Sequence, residues 1–395
     1  MARTKDSYKI IRPELIPFTS YPYEWAFSQL KDAALLTLDI QLTALKHGMS
    51  LKDASAYNIQ FLRGKPIFVD TLSFEKQIPD YPWVAYRQFC QHFLCPLALM
   101  SFVDVGFNQL FRIHIDGIPI QLASKLLPFS TRLRWSLLAH VHLHASIQQK
   151  HADNNTAKVK RKVSETGITG IVFSLKNAID KLKIKKQKTE WDRYYENTNY
   201  STTSSDHKAA IVKDCLGIVR PKTLWDLGAN TGRYSRIASH MGIFTVSFDL
   251  DPNAVEHNYL TSRANDESNI LPLLMDFTNP SSAIGWSSSE RMSLKERGPV
   301  DAILALALIH HLAISNNVPL GNIAEYFSEL GSTLIIEFVP KQDSQVIRLL
   351  TSREDVFSKY DQVGFESEFQ KHYKIKGRFP VQETERTIYL MESIV

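Results

Sequence analysis

Apolar positions along this chain keep two different rhythms. From Trp25 to His47 they recur at helical spacing, with Leu30, Ala34, Leu38, Leu42 and Leu45 on one stripe, and Tyr86 to Phe102 reads as a second helix. Past residue 220 the rhythm changes. Leu224 to Leu227 and Phe244 to Phe248 are short, mainly apolar runs suited to buried parallel strands, with Arg233 to His240 at helical spacing between them. Strand, tight turn, helix and strand make one unit that cradles a nucleotide, and Gly228 and Gly232 sit in its turn, where backbone passes close to a ligand. Seventeen positions past Gly232 the second run ends in Asp249, a carboxylate suited to both hydroxyls of a ribose.

The turn is not the dinucleotide fingerprint. That pattern spaces three glycines as G-x-G-x-x-G to admit a pyrophosphate, whereas here Asp226 leads Gly228 and Gly232 in D-x-G-x-x-x-G. An acid beside the turn repels phosphate and suits an ammonium or a sulfonium. Asp226-Leu227-Gly228-Ala229-Asn230-Thr231-Gly232 resembles motif I of the class I S-adenosylmethionine-dependent methyltransferases, and Ser247-Phe248-Asp249-Leu250-Asp251 resembles their ribose-binding segment. The resemblance runs over roughly residues 190 to 395 and implies an α/β fold with a seven-strand Rossmann-like sheet. Leu271 to Met275 corresponds to its third strand, Val300 to Ile309 to the fourth, Ser332 to Ile336 to the fifth, and Arg378 to Met391 to the closing hairpin.

The same resemblance implies the cofactor, S-adenosyl-L-methionine, and its contacts. Asp226, Asn230 and the backbone from Gly228 to Gly232 would hold the methionine end, Asp249 the ribose, and Asp276 and Phe277 the adenine. An aromatic segment often covers the cofactor just before the first strand, which makes Tyr195 and Tyr200 candidates. Asp251 reads differently, as a cap for the helix that Pro252 begins.

Methyl transfer from a sulfonium is an in-line displacement that mainly needs alignment. A hydroxyl or ammonium acceptor must also lose a proton, and an imidazole at the mouth of the fourth strand makes His310 or His311 the general-base candidate. Glu337, at the next strand end, is the candidate for orienting the acceptor or taking the proton instead. The loop after the fourth strand lacks the Asn/Asp-Pro-Pro-aromatic signature of exocyclic base methylation, which disfavours nucleic acid as substrate. The chemistry requires no metal.

Composition is that of an ordinary globular protein, 395 residues with 44% hydrophobic and 22% charged, long enough for two cores. Met1 to Ile16 has no continuous apolar signal region, and no run approaches a membrane span. Cys90, Cys95 and Cys215 form no paired framework, so a cytoplasmic location with reduced thiols is expected. The net charge of +5 is unevenly placed: Thr156 to Lys188 carries ten Lys/Arg against Glu165 and Asp180. Within that stretch Ile171, Leu175, Ala178 and Leu182 recur at helical spacing, with Phe173 and Ile179 nearby. A basic amphipathic helix can dock on an anionic membrane or RNA, but packing its apolar side on its own protein is the favoured reading.

Asp53, Asn58 and Asp70 keep the spacing D-x-x-x-x-N then D around an apolar strand. They resemble the catalytic loop and metal-binding acid of the protein-kinase and aminoglycoside-kinase superfamily, which implies a kinase-C-lobe-like core. No His-Arg precedes Asp53, Thr-Leu-Ser follows Asp70, and the upstream fifty or so residues hold no glycine-rich loop, so the core would be truncated. Together with Ser20-Tyr-Pro-Tyr-Glu-Trp25 and Pro82-Trp-Val-Ala-Tyr-Arg-Gln-Phe89, the arrangement resembles a family of bacterial two-part methyltransferases, some associated with nodulation. His140, His142 and His144 alternate as a metal site on a strand might, yet Leu137 to Ile147 serves equally well as a helix and no acid completes a set. The Ser-rich stretch Ser281 to Ser289 is expected to be a flexible insertion.

These observations predict a mostly helical N-terminal domain over residues 1 to 150, a basic helical linker over 151 to 190 and a methyltransferase domain over 191 to 395. The expected activity is methyl transfer to a hydroxyl or amine of a small molecule or protein, with the N-terminal domain recognising substrate. A cofactor-binding scaffold or sensor without transfer activity is the alternative, and a kinase-methyltransferase fusion is a third reading.

Overall fold

The computed structural model describes residues 10–146, 162–184, 201–351 and 354–394. In the first part, α1 (Phe27–Lys46) buries Leu30, Ala34, Leu38 and Leu45 on the stripe read from the sequence. Two small antiparallel pairs follow: β1 (Met49–Leu51) with β4 (Phe74–Lys76), and β2 (Ile59–Leu62) with β3 (Lys65–Phe68). Then come α2 (Tyr86–Phe89), continued through a π turn into α3 (Cys95–Phe102), and two shorter helices, α4 (Ile120–Leu126) and α5 (Trp135–Leu137). The alternating histidines fall on a helical π turn, Leu138–Leu143, and not on a strand. His140 bridges the Tyr86 hydroxyl and Ser174 Oγ, at 2.8 and 2.9 Å, and His144 stacks on the Tyr86 ring. The set is a packing device between segments.

Linker helix α6 (Glu165–Asp180) buries Ile168, Val172, Leu175, Ala178 and Ile179, and it lies against α1. Lys31 Nζ donates to the Asp180 and Leu182 carbonyls beyond its C-terminus, satisfying acceptors the helix itself leaves open.

The second part is an α/β sheet: α7 (Thr202–Val219), β5 (Thr223–Leu227), α8 (Arg233–His240), β6 (Phe244–Asp249), α9 (Pro252–Ala264), β7 (Ile270–Leu274), β8 (Val300–Ala305), α10 (Leu320–Leu330), β9 (Gly331–Phe338), α11 (Ser344–Leu350), α12 (Gln362–Phe369), β10 (Tyr373–Pro380) and β11 (Thr387–Ser393). Seven strands lie in the order β10-β11-β9-β8-β5-β6-β7, all in one direction except β11, which runs antiparallel to both its neighbours, β9 and β10. The fourth run ends earlier as a strand than its apolar pattern suggests. β8 stops at Ala305, and Ala307 takes a positive φ of 49° to turn the chain toward His310.

Pro272 interrupts β7 without cost to the sheet because β7 is an edge strand, paired only to β6. That edge is covered by the N-terminal part: Gln29 Nε2 donates to the Pro272 carbonyl at 3.0 Å. Phe18 packs edge-on against both Trp225 and Phe248, so the two parts share one apolar core. The Ser-rich stretch is not a loose insertion. Ser281 is buried and donates to Glu24, whose carboxylate also takes both ends of the buried Arg297 guanidinium, at 2.8 and 2.6 Å.

Candidate active site

β5 lies between β6 and β8, so the chain's winding reverses there and a crevice opens beyond the carboxyl ends of the strands. A cavity of about 550 Å³ occupies it, within the range of small-ligand sites. Each strand end contributes to the wall: Asp226 and Gly228 from β5, Asp249 and Leu250 from β6, Met275 to Thr278 from β7, Leu306 to Leu308 and then His311 from β8.

The glycine turn is built from the inside. Gly228 takes φ 81° and would bring a Cβ within 3.3 Å of Leu308, while Gly232, also at 81°, would drive one to 2.5 Å from the Asn258 side chain. All five N–H groups of the turn find partners within the protein. Those of Gly228 and Ala229 donate to the Phe248 carbonyl, that of Asn230 to Asp249 Oδ2 at 2.6 Å, that of Thr231 to its neighbour's Asn230 Oδ1, and that of Gly232 to the Ala229 carbonyl. A turn so arranged has no nest of donors for a phosphate. It presents acceptors and Cβ-free surface to whatever enters.

The charges agree. Asp226 is buried, accepts a hydrogen bond from Ser235 Oγ, and is pushed up to about 7, first by burial and further by the Asp249 charge. Burial likewise raises Asp249 to about 6, although the N–H groups of Asp251 and Asn230 pull it back. A cationic ligand would favour the ionised form of both. Asp276 and Phe277 reach the wall together. Asp276 Oδ1 caps the turn through Thr278, and Phe277 packs edge-on against Phe248. Asp251 caps α9 through the Asn253 N–H. Tyr195 and Tyr200 lie outside the described residues.

The three acceptor-side candidates are placed differently from one another. His311 lines the cavity, whereas His310 lies behind it, fully buried, with the two rings 4.1 Å apart. Burial lowers both imidazoles, His311 to about 4 and His310 well below its ordinary value, and the Arg386 charge lowers each further. Glu337 is fully buried and faces Lys208, with Nζ and Oε2 2.7 Å apart. Its carboxylate also accepts the Ala307 N–H at 2.7 Å and lies 3.8 Å from Arg386, itself clamped to Asp343.

Lys208 was not flagged by the sequence, yet it lines the cavity on the side of α7, over the Tyr234 ring. Burial lowers its ammonium and the Glu337 charge restores part of the loss. Ser235 and Arg386 were missed as well. No short-range pattern could mark them, since Lys208 and Glu337 stand 129 positions apart. Asp53, Asn58 and Asp70 are occupied locally. Asp53 caps Ser55 and receives Gln88, while Asn58 and Asp70 meet on the Ser73 hydroxyl.

The chain is 34% identical over 390 residues to the nodulation protein NoeA of Rhizobium meliloti (strain 1021), covering 97% of this chain and 82% of that protein. No family model matches. Similar solved structures include a SAM-dependent methyltransferase from Aquifex aeolicus, at 15% identity over 53% of this chain and 100% of that one, with a TM-score of 0.35. Magnesium protoporphyrin IX methyltransferase from Synechocystis PCC 6803 with bound SAH has 13% identity over 51% and 92% of the two chains, TM-score 0.34. The bifunctional kinase-methyltransferase WbdD has 14% identity over 49% of this chain and a TM-score of 0.33, and the match spans 40% of WbdD's own length.

Proposed function

We propose that this chain, which belongs to the family of the nodulation protein NoeA, transfers a methyl group from S-adenosylmethionine to a hydroxyl or amine of a small molecule or protein. The observation that carries the reading is a glycine turn whose donors are all consumed internally, set between two buried carboxylates at the switch point of a parallel sheet. That combination suits a cationic nucleoside and repels a phosphorylated one. When bound, the sulfonium supplies an electrophilic methyl group.

The chain's own residues hold and align. Asp249 receives the ribose hydroxyls with the lone pairs its two backbone donors leave open. Asp226 and the turn's acceptors take the methionine end, and Asp276 and Phe277 flank the adenine. His311 faces the cavity unprotonated at neutral pH and accepts a hydrogen bond from the incoming O–H or N–H, orienting its lone pair. At about 4 it is too weak a base to take that proton outright, so the acceptor must be a good nucleophile in its own right. We assign Glu337 to holding the cavity floor through Lys208 and the Ala307 N–H, and His310 to packing behind His311.

Titration calorimetry with S-adenosylmethionine and its demethylated product tests the common step. Binding is expected, and Asp249→Ala weakens it at least tenfold, the worth of about one charge-assisted hydrogen bond. Transfer of a labelled methyl group into a bacterial extract tests the activity. Cofactor binding without any labelled product would leave the scaffold or sensor reading, and no binding at all would overturn both.

A further inference from the structure

One face of the N-terminal part has the wrong surface for a chain that only meets water. Between Asp116 and Asp153 the sequence holds no acid, while Lys125, Arg132 and Arg134 fall within it. In the same stretch Phe129, Leu133 and Trp135 are 75%, 81% and 75% exposed, and Leu126 and Leu143 stand partly out beside them. Scattered exposed apolar residues are ordinary, but three large ones in seven positions are a patch. Lys125, Phe129 and Arg132 line a common hollow next to α4, so two of the cations share a surface with one of the exposed rings, and exposed Leu133, Arg134 and Trp135 follow directly in the chain. No carboxylate pairs with Lys125, Arg132 or Arg134 among the described residues.

The display is fixed rather than loose. Phe129–Leu133 is a 3-10 turn whose inward residue, Thr131, is fully buried and bonds back to the Pro128 carbonyl. His142 braces it from beneath: Nε2 meets Thr131 Oγ1 at 2.9 Å and Nδ1 meets Ser124 Oγ at 2.8 Å, tying the turn to α4. Burying Thr131 in this way turns its neighbours Phe129, Arg132 and Leu133 outward together.

We propose that this face docks on an anionic lipid bilayer, with Phe129, Leu133 and Trp135 entering the interface and Lys125, Arg132 and Arg134 meeting the headgroups. Aliphatic and aromatic side chains interleaved with cations match that boundary, where apolar burial and charge attraction add. Single-stranded RNA is a poorer fit, because leucines offer no stacking and three cations track few phosphates. The surface is distinct from helix α6, whose apolar side is covered by α1.

Sedimentation with vesicles tests it, using phosphatidylcholine alone and phosphatidylcholine with about 30% phosphatidylglycerol. The full chain is expected to pellet with the anionic vesicles only, and to be released in about 0.5 M salt. Arg132→Glu with Arg134→Glu should weaken binding at least tenfold, and Phe129→Ser, Leu133→Ser and Trp135→Ser together should abolish it. Because all five positions are exposed, both variants should melt with the parent, and the charge variant still decides the question if the apolar one does not fold. Failure of the parent to pellet with anionic vesicles overturns the proposal, as does equal pelleting by both variants. A patch that drives self-association or binds RNA while leaving vesicles in the supernatant overturns it too.

Discussion

Replacing Glu337 by Gln separates two roles for this carboxylate that its strand-end position leaves open. Glu337 and Lys208 are 0% and 3% exposed at the side chain, and their charged atoms lie 2.7 Å apart. Removing one partner of such a pair takes from the other buried charge its nearest counter-charge, at a cost of about 3–5 kcal/mol. For one cooperative unit of 395 residues, at about 2.1 cal/mol/K per residue, each kcal/mol shifts the melting temperature by roughly 1 °C, so Glu337→Gln should lower it by roughly 3–6 °C. Lys208→Met should cost less. It leaves Glu337 with the Ala307 N–H and with Arg386 at 3.8 Å. The double variant removes both charges, and it should recover part of the loss, giving a coupling of about 0.5–3 kcal/mol in the mutant cycle. Differential scanning calorimetry on the four proteins measures this, with cofactor titration alongside because Lys208 and Ala307 both line the cavity. If Glu337 instead takes the acceptor's proton, Glu337→Gln will melt within about a degree of the parent and lose transfer alone. That result would refute the assignment of Glu337 to the floor.

Acid should weaken cofactor binding before it affects the histidines. Asp226, at about 7, and Asp249, at about 6, must be ionised to hold a cation and a diol, so calorimetric affinity is full above their pKa values and falls as pH drops through 7 and then 6; a flat profile from about pH 8 to 5.5 counts against it. For folding of the free protein the sign is opposite: an acid raised by burial favours the folded state most below its unfolded pKa, and loses that contribution as pH rises through the folded value. His311, at about 4, should add no inflection to the transfer rate between about pH 5.5 and 8. Gly232→Ala, which combines φ 81° with a 2.5 Å approach to Asn258, should cost more than about 1–3 kcal/mol in urea unfolding, whereas Gly217→Ala, at an exposed position of α7 with open space at its Cβ, should gain about 0.5–1 kcal/mol. Magnesium-ATP should leave the melting temperature unchanged, because Asp53, Asn58 and Asp70 are spent on local turns; a shift abolished by Asp70→Ala would restore the kinase reading.

The sheet was legible because a strand buried on both faces has to be largely apolar, and a turn that brings backbone to a ligand has to drop its Cβ. Leu224 to Leu227 and Phe244 to Phe248 therefore mark β5 and β6 within a residue, and Gly228 and Gly232 mark the turn. The run from Val300 to Ile309 misleads because its last four residues form the turn beyond the strand, with Leu306 and Ile309 buried and Ala307 and Leu308 half-buried in the cavity wall. Lys208 could not be read from its surroundings: Asp206-His207-Lys208 on a helix looks like a solvated face, and only β9 arriving from much later in the chain makes it a buried cation. The alternating histidines show the converse. Their spacing suggests chemistry, but hydroxyls from Tyr86, Ser124, Thr131 and Ser174 satisfy the His140 and His142 rings while His144 stacks on Tyr86, and those partners come from four separate segments.

The same long-range contacts tie the N-terminal part to the cavity at the strand ends. Arg297 is 1% exposed and Glu24 2%, a buried pair that would be costly to form unless both parts of the chain were in place, because either group alone would be stranded. Burial of Phe18 between Trp225 and Phe248 makes the same demand of the apolar core. The pair does not end at the seam: Glu24 accepts from Ser281 Oγ, Ser281 N and Oγ lie 3.4 and 3.7 Å from Met275 Sδ, and Met275 is part of the cavity wall beside Asp276. The cavity wall is thus one residue removed from a charge supplied by the N-terminal part. Loosening that part removes the support behind Met275 and exposes the β7 edge at Pro272 in the same event. On this architecture the two parts form one cooperative unit, and the N-terminal part can influence whatever binds in the cavity through stability alone, without touching it.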